Sequence, residues 1–279
     1  MDDLAFDSGP AEPPTPPPHT DPPWALIAGA VLLLALGGLW YFATRGRGAA
    51  PAPAVTETTV DVAKPPRRTA EPGEPIDLPP LDQTDPLVRT LVGRLSSHPI
   101  AAAWLTTDGL IRNLTVVIAN IADGDTPAAH LKPLRPPGAF VTKTTGGVTT
   151  VHPASYARYD AIAAAVEGLD ARGVARFYAT IKPRIEDAYR DLGGPDPNFD
   201  RTVERAIVML LRTPEPAADT EVRQGSVTYT FADPELERLP RAQRQLLRMG
   251  PRNERIVKAK LREVAGFLGI PDTALPPVR

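Results

Sequence analysis

The chain has 279 residues, a formal net charge of −2, and 34 prolines, well above ordinary usage. It holds no cysteine, which excludes a disulfide framework and thiolate chemistry and is neutral on compartment. The charge is unevenly divided, with residues 1–23 carrying −5 and residues 81–279 carrying +3.

Residues 1–23 contain eight prolines and five acids (Asp2, Asp3, Asp7, Glu12, Asp21). With little apolar surface to bury, this segment is expected to be a disordered, acidic, proline-rich tail. Trp24–Phe42 then runs for nineteen residues without a charged or strongly polar side chain. As a helix it is roughly 28 Å long, close to the ~30 Å hydrocarbon core of a bilayer. Backbone groups find no water there and must pair within the segment, so residues 24–43 are expected to form one transmembrane helix. Trp24 at one end and Trp40 and Tyr41 at the other are the expected membrane-interface anchors. A cleaved signal peptide is disfavoured, because 23 residues precede the segment and none is Lys or Arg. Residues 44–83 hold eight more prolines and read as a semi-rigid linker whose contour reaches ~120 Å.

From residue 84 apolar residues become periodic, and residues 84–271 are expected to form a mostly helical globular domain followed by a C-terminal tail, 272–279. Thr84-Asp85-Pro86 predicts a helix start with Thr84 as cap, running to about Ser97. A short helix is expected over Ile100–Thr106. Asp108 is the expected cap of a helix over Gly109–Ile121, where Leu110, Leu114, Val117 and Ile121 recur at helical spacing. Residues 123–138 read as a proline-rich loop. Phe140–His152 alternates around Gly146-Gly147, a two-residue hairpin signal. Two or three helices are expected between Pro153 and Arg212. One carries the stripe Val174, Phe177, Tyr178, Ile181, Ile185, Ala188, Leu192, kinked but not ended at Pro183 and stopped at Gly193-Gly194. A second hairpin over Val222–Phe231, turning at Gly225-Ser226, pairs Val222 with Tyr229 and puts Val222, Val227, Tyr229 and Phe231 on one face. Helices over Arg241–Met249 and Asn253–Leu268, broken at Gly250-Pro251, complete a mainly α (α+β) fold with two short β-hairpins.

Known catalytic signatures do not occur. The four histidines have no metal-ligand spacing, no Gly-x-Ser-x-Gly is present, and the paired glycines belong to turns. No catalytic, cofactor-binding or metal-ligating residue is therefore assigned, and no cofactor is expected. The tyrosines and phenylalanine at 156, 159, 177, 178 and 189 fall at helical spacing and read as core packing. Glu186, Asp187 and Asp191 are flanked by arginines and read as a solvated helix face. One constellation stands out. Residues 238–262 hold nine basic residues and a single acid, Glu254, with Arg241, Arg248 and Arg252 as the candidate anion readers for acidic lipid, phosphate or nucleic acid. The alternative is that the run packs against the domain's own acids. Aromatic stacking residues are absent from it, which makes nucleic acid an unfavoured partner.

LDQTDPLVRTLVGRLSSHPIAAAWLTTDGLIRN (81–113), HPASYARYD (152–160), AYRDLG (188–193), FADPELE (231–237) and QLLRMGPRN (245–253) together resemble the bacterial family catalogued as domain of unknown function 3014. The resemblance covers about residues 78–270. It implies a layout of tail, span, linker and C-terminal domain in Gram-negative bacteria, and it carries over no catalytic or binding residue. Arg45 and Arg47 just after the span favour a cytoplasmic domain. A span followed by a long Pro/Ala linker favours an inner-membrane protein with a periplasmic domain, and that side is expected. The function expected from these features is a non-enzymatic, membrane-anchored interaction module with protein partners in the envelope. Anion binding through residues 238–262 is the alternative.

Overall fold

The computed structural model describes residues 70–194, 198–225 and 228–277. The expected acidic tail, the span with Trp24, Trp40 and Tyr41, and the linker up to residue 69 lie outside them. Among the described residues no helix is long and apolar enough to cross a membrane.

Ten α-helices and two antiparallel two-stranded sheets are described. In chain order they are α1 (Asp85–Leu95), α2 (Pro99–Trp104), α3 (Leu110–Ala122), β1 (Thr142–Thr145), β2 (Val148–Val151), α4 (Pro153–Ala157), α5 (Asp160–Glu167), α6 (Ala171–Asp191), α7 (Phe199–Leu211), β3 (Val222–Gln224), β4 (Tyr229–Phe231), α8 (Pro234–Arg238), α9 (Arg241–Leu247) and α10 (Gly250–Phe267). The mainly helical fold with two hairpins therefore agrees with the reading of the sequence. Four helices, not two or three, lie between Pro153 and Arg212, and α8 was not expected.

The main core forms where α3 packs on α1, α6 and α7, and α10 packs on α5, α6, α7 and α9. A helix with neighbours on several sides needs more than one apolar stripe. In α3 Leu110, Leu114, Val117 and Ile121 are joined by buried Ile111 and Ile118. In α6 the stripe from Val174 through Ala188 is buried across Pro183 as expected. Leu192 departs from it and is 53% exposed, because Gly193 at φ +73° ends the helix and turns the chain away.

Two expected caps are corrected. The Thr84 hydroxyl donates back to Leu81 O (2.8 Å) and does not cap α1. Asp108 is a fully exposed side chain facing Arg89 at 3.4 Å. The first amides of α3 are capped from another helix: Asp85 of α1 accepts from Gly109 N and Leu110 N, both at 2.8 Å. A carboxylate there also meets the positive end of the α3 dipole. Asp85→Ala is expected to cost about 1–2 kcal/mol, the loss typical of a removed cap, read as a lowered midpoint in urea unfolding. Histidine supplies two further caps. The Nδ1 atoms of His98 and His152 accept from Ile100 N (3.2 Å) and Ala154 N (3.1 Å), each just ahead of a proline at the first helical position.

The assignment of residues up to 83 to the linker is also corrected. Residues 70–83 lie as a strap along the fold. Glu71 N donates to Phe267 O (3.0 Å), Glu74 N to Thr180 Oγ1 (2.8 Å), and Arg184 to the carbonyls of Leu78 and Pro79 (2.8 Å each). Ile76 and Leu81 rest on the core. Prolines at 72, 75, 79 and 80 have no N–H to give to a ladder, and Arg184 of α6 satisfies the carbonyls of Leu78 and Pro79 instead. At the other end, Ala274 and Leu275 of the expected C-terminal tail also pack on the core.

The first hairpin turns at Gly146-Gly147 with both residues at positive φ, as two-residue loops of this kind require. The second has a different register from the expected one. Val222 faces Phe231 and Gln224 faces Tyr229, and Gly225 N donates to Thr228 O (2.8 Å). The shift is by two residues, so the faces are preserved. Val222 and Phe231 still point inward, where with Val151 and Leu247 they form a second, smaller core. A bridge between Thr150 and Glu221 joins the two hairpins.

Candidate functional site

The basic run 238–262 covers the end of α8, all of α9 and most of α10. Its three candidate anion readers are not brought together. Arg241 faces Asp125 in the loop after α3 (3.8 Å), and Arg252 faces Asp160 at the start of α5 (3.5 Å). Arg248 lies beneath the second hairpin, its guanidinium 5.5 Å from the Phe231 ring centre and donating to Tyr229 O (3.4 Å). Burial there pushes its pKa down. The neighbouring cations follow the same pattern. Arg238 pairs with Glu235 and Arg244 with Glu237, while Lys260 meets Leu169 O (2.7 Å) and Glu263 (2.6 Å). Sequence spacing aligns these residues on a helix, but their partners come from the loop after α3, from α5, from α8 and from β4, and pull them apart.

A different cluster converges. Arg255, Lys258 and Arg262 stand at three- and four-residue steps along α10, on one face. With Arg212, just past the last turn of α7, they line a cleft of about 720 Å³ that Pro276 and Pro277 also border. Arg255 pairs with Glu215. Lys258 donates to Thr213 O and lies 2.6 Å from Glu254. Arg262 donates to Pro277 O (3.2 Å). Arg212 is exposed, and neither it nor Arg262 faces a carboxylate among the described residues.

Behind Lys258 the side chain of Glu254 is wholly buried. Lys258 is near but badly aligned, and neither carboxylate oxygen accepts a hydrogen bond of normal geometry among the described residues. Burial pushes its pKa up to about 7, more than Lys258 pulls it down. The signal for this residue was its phase. Glu254 precedes Val257 by three and Leu261 by seven, which sets it on the apolar side of α10.

The remaining polar candidates serve the fold. Asp187 is held below the usual carboxylate range by hydrogen bonds from Arg184 and then Arg190, and Asp191 pairs with Arg112. The rings of Tyr159, Phe177, Tyr178 and Tyr189 are buried in the core, and Tyr178 Oη donates to Asp200 (2.7 Å). Among the described residues no group of acids and histidines is arranged to hold a metal ion.

The chain matches no curated protein and no solved structure. A family model described as "Protein of unknown function (DUF3014)" matches residues 110–265, from the first residue of α3 into the last turn of α10. That stretch takes in both hairpins, Glu254 and most of the basic cleft. Because the match spans more than half of the 279 residues, the chain belongs to the DUF3014 family.

Proposed function

We propose that the protein is a single-pass protein of the bacterial inner membrane whose folded part is a non-enzymatic interaction module on the periplasmic side. The span is Trp24–Phe42, with Trp24, Trp40 and Tyr41 at the interfaces, and a disordered acidic tail precedes it. The observation that supports the reading is the strap. Residues 70–83 are tied to α6 and α10 at both ends, through Glu71 and through Leu78 and Pro79. A chain arriving from a membrane anchor therefore enters the fold along a fixed line. The proline-rich residues before it set how far the module stands from the bilayer. The ion pairs along α8, α9 and the start of α10 leave that region nearly neutral toward a partner, which favours protein partners over nucleic acid.

The test is a pair of fusions after Arg279. Alkaline phosphatase is expected to be active and a cytoplasm-dependent fluorescent protein dark. The opposite result removes the periplasmic reading. Photo-crosslinkers in the exposed strand β1, at Lys143 and Thr145, are expected to trap envelope proteins in cells. Crosslinks confined to lipid would remove the protein-interaction reading.

A further inference from the structure

We propose that the cleft between the end of α7 and the outer face of α10 binds a phosphorylated small molecule or headgroup, its phosphoryl oxygens held by Arg212, Lys258 and Arg262. The charges fit such a ligand. Four cations line or border the cleft against Glu215 and the buried Glu254, a surplus of two positive charges. A phosphomonoester carries about −1.5 to −2 near neutral pH. Arg212 and Arg262 are free of carboxylates among the described residues, and a guanidinium offers the planar pair of donors that suits phosphate oxygens.

The wall adds an independent sign. Thr213 is also among the residues lining the cleft, and its Oγ1 is buried without a hydrogen-bond partner among the described residues. Size narrows the class further. A cleft of about 720 Å³ is within the usual range for small-molecule sites and far exceeds a bare phosphate. Leu211, Ala259 and Pro276 supply an apolar surface for the rest of the ligand. The site uses the second half of the basic run together with Arg212 at the C-terminal cap of α7, and it does not involve Arg241, Arg248 or Arg252.

The full chain in a zwitterionic detergent would be titrated calorimetrically, at low salt, with pyrophosphate and with glycerophosphoglycerol, the soluble form of a lipid headgroup. Binding of at least one probe is expected, weakening as salt rises. The double change Arg212→Glu with Arg262→Glu is expected to weaken it at least tenfold with little change in melting temperature, since Arg212 is exposed and Arg262, half-buried, gives up one hydrogen bond to Pro277 O near the C-terminus. Arg94→Glu, an exposed charge reversal on α1, is expected to leave it unaltered. Stronger binding of pyrophosphate identifies a soluble phosphorylated ligand, and stronger binding of the headgroup identifies a lipid. Absence of binding by both probes, or binding that ignores the double reversal, overturns the site.

Discussion

Raising the pH from 5 to 9 is expected to remove about 3 kcal/mol of folding stability through Glu254 alone. Its carboxyl is pushed up to about 7 in the fold, chiefly by burial, from the ordinary 4.5. A raised carboxyl favours the folded state while it is protonated. The contribution is therefore whole below pH 4.5, fades between 4.5 and 7, and is gone above 7, where the fold holds a buried charge. Because the side chain has no solvent exposure, water screens little of this effect. Urea unfolding at pH 5, 7 and 9 reads it directly. Glu254→Gln keeps the shape and removes the titration, so its stability is expected to fall less steeply over the same range. Parallel curves for the two proteins would show that the carboxylate is not destabilised by its surroundings.

Gly250→Ala is expected to destabilise the fold by about 3 kcal/mol, through two separable causes. Gly250 opens α10 at φ +80°, a backbone region that costs an L residue roughly 1–2 kcal/mol. An added Cβ would also sit 2.5 Å from Cγ of Tyr156, which cannot yield freely. The Tyr156 ring packs on the second core, and its carbonyl accepts from Asn253 (3.1 Å). Gly147→Ala separates the causes. That position has φ +83° and open space around it, so only the conformational cost of roughly 1–2 kcal/mol is expected. Equal losses at the two glycines in chemical denaturation would remove the steric part of the argument.

Much of the fold was legible in the sequence because its signals are local. Helix phase in α3, α6 and α10 follows from residues three and four apart, and the first hairpin follows from two adjacent glycines. The helix α8 also had a local signal that the reading missed: Asp233 caps it, accepting from Glu235 N (2.8 Å), and Pro234 takes its first position. The candidate site was legible only in part. The excess of cations in 238–262 was plain, and so was the alternative that acids of the domain absorb them.

What the sequence determined by itself is the phase of the longer helices α3, α6 and α10, the side each of them buries, and the inward face of the second hairpin. These depend on spacing along a few turns of chain. Only the tertiary structure decided which groups satisfy one another across the fold. Asp85 caps α3 from 24 residues away, Arg184 holds the strap at Leu78 from 106 away, and Arg255 takes Glu215 from 40 away. Such pairings arise because buried or crowded polar groups must find a partner, and the nearest one in space need not be near in sequence. The same requirement disperses Arg241, Arg248 and Arg252 to three different neighbours. It leaves Arg212 and Arg262 beside a cleft that no stretch of sequence describes.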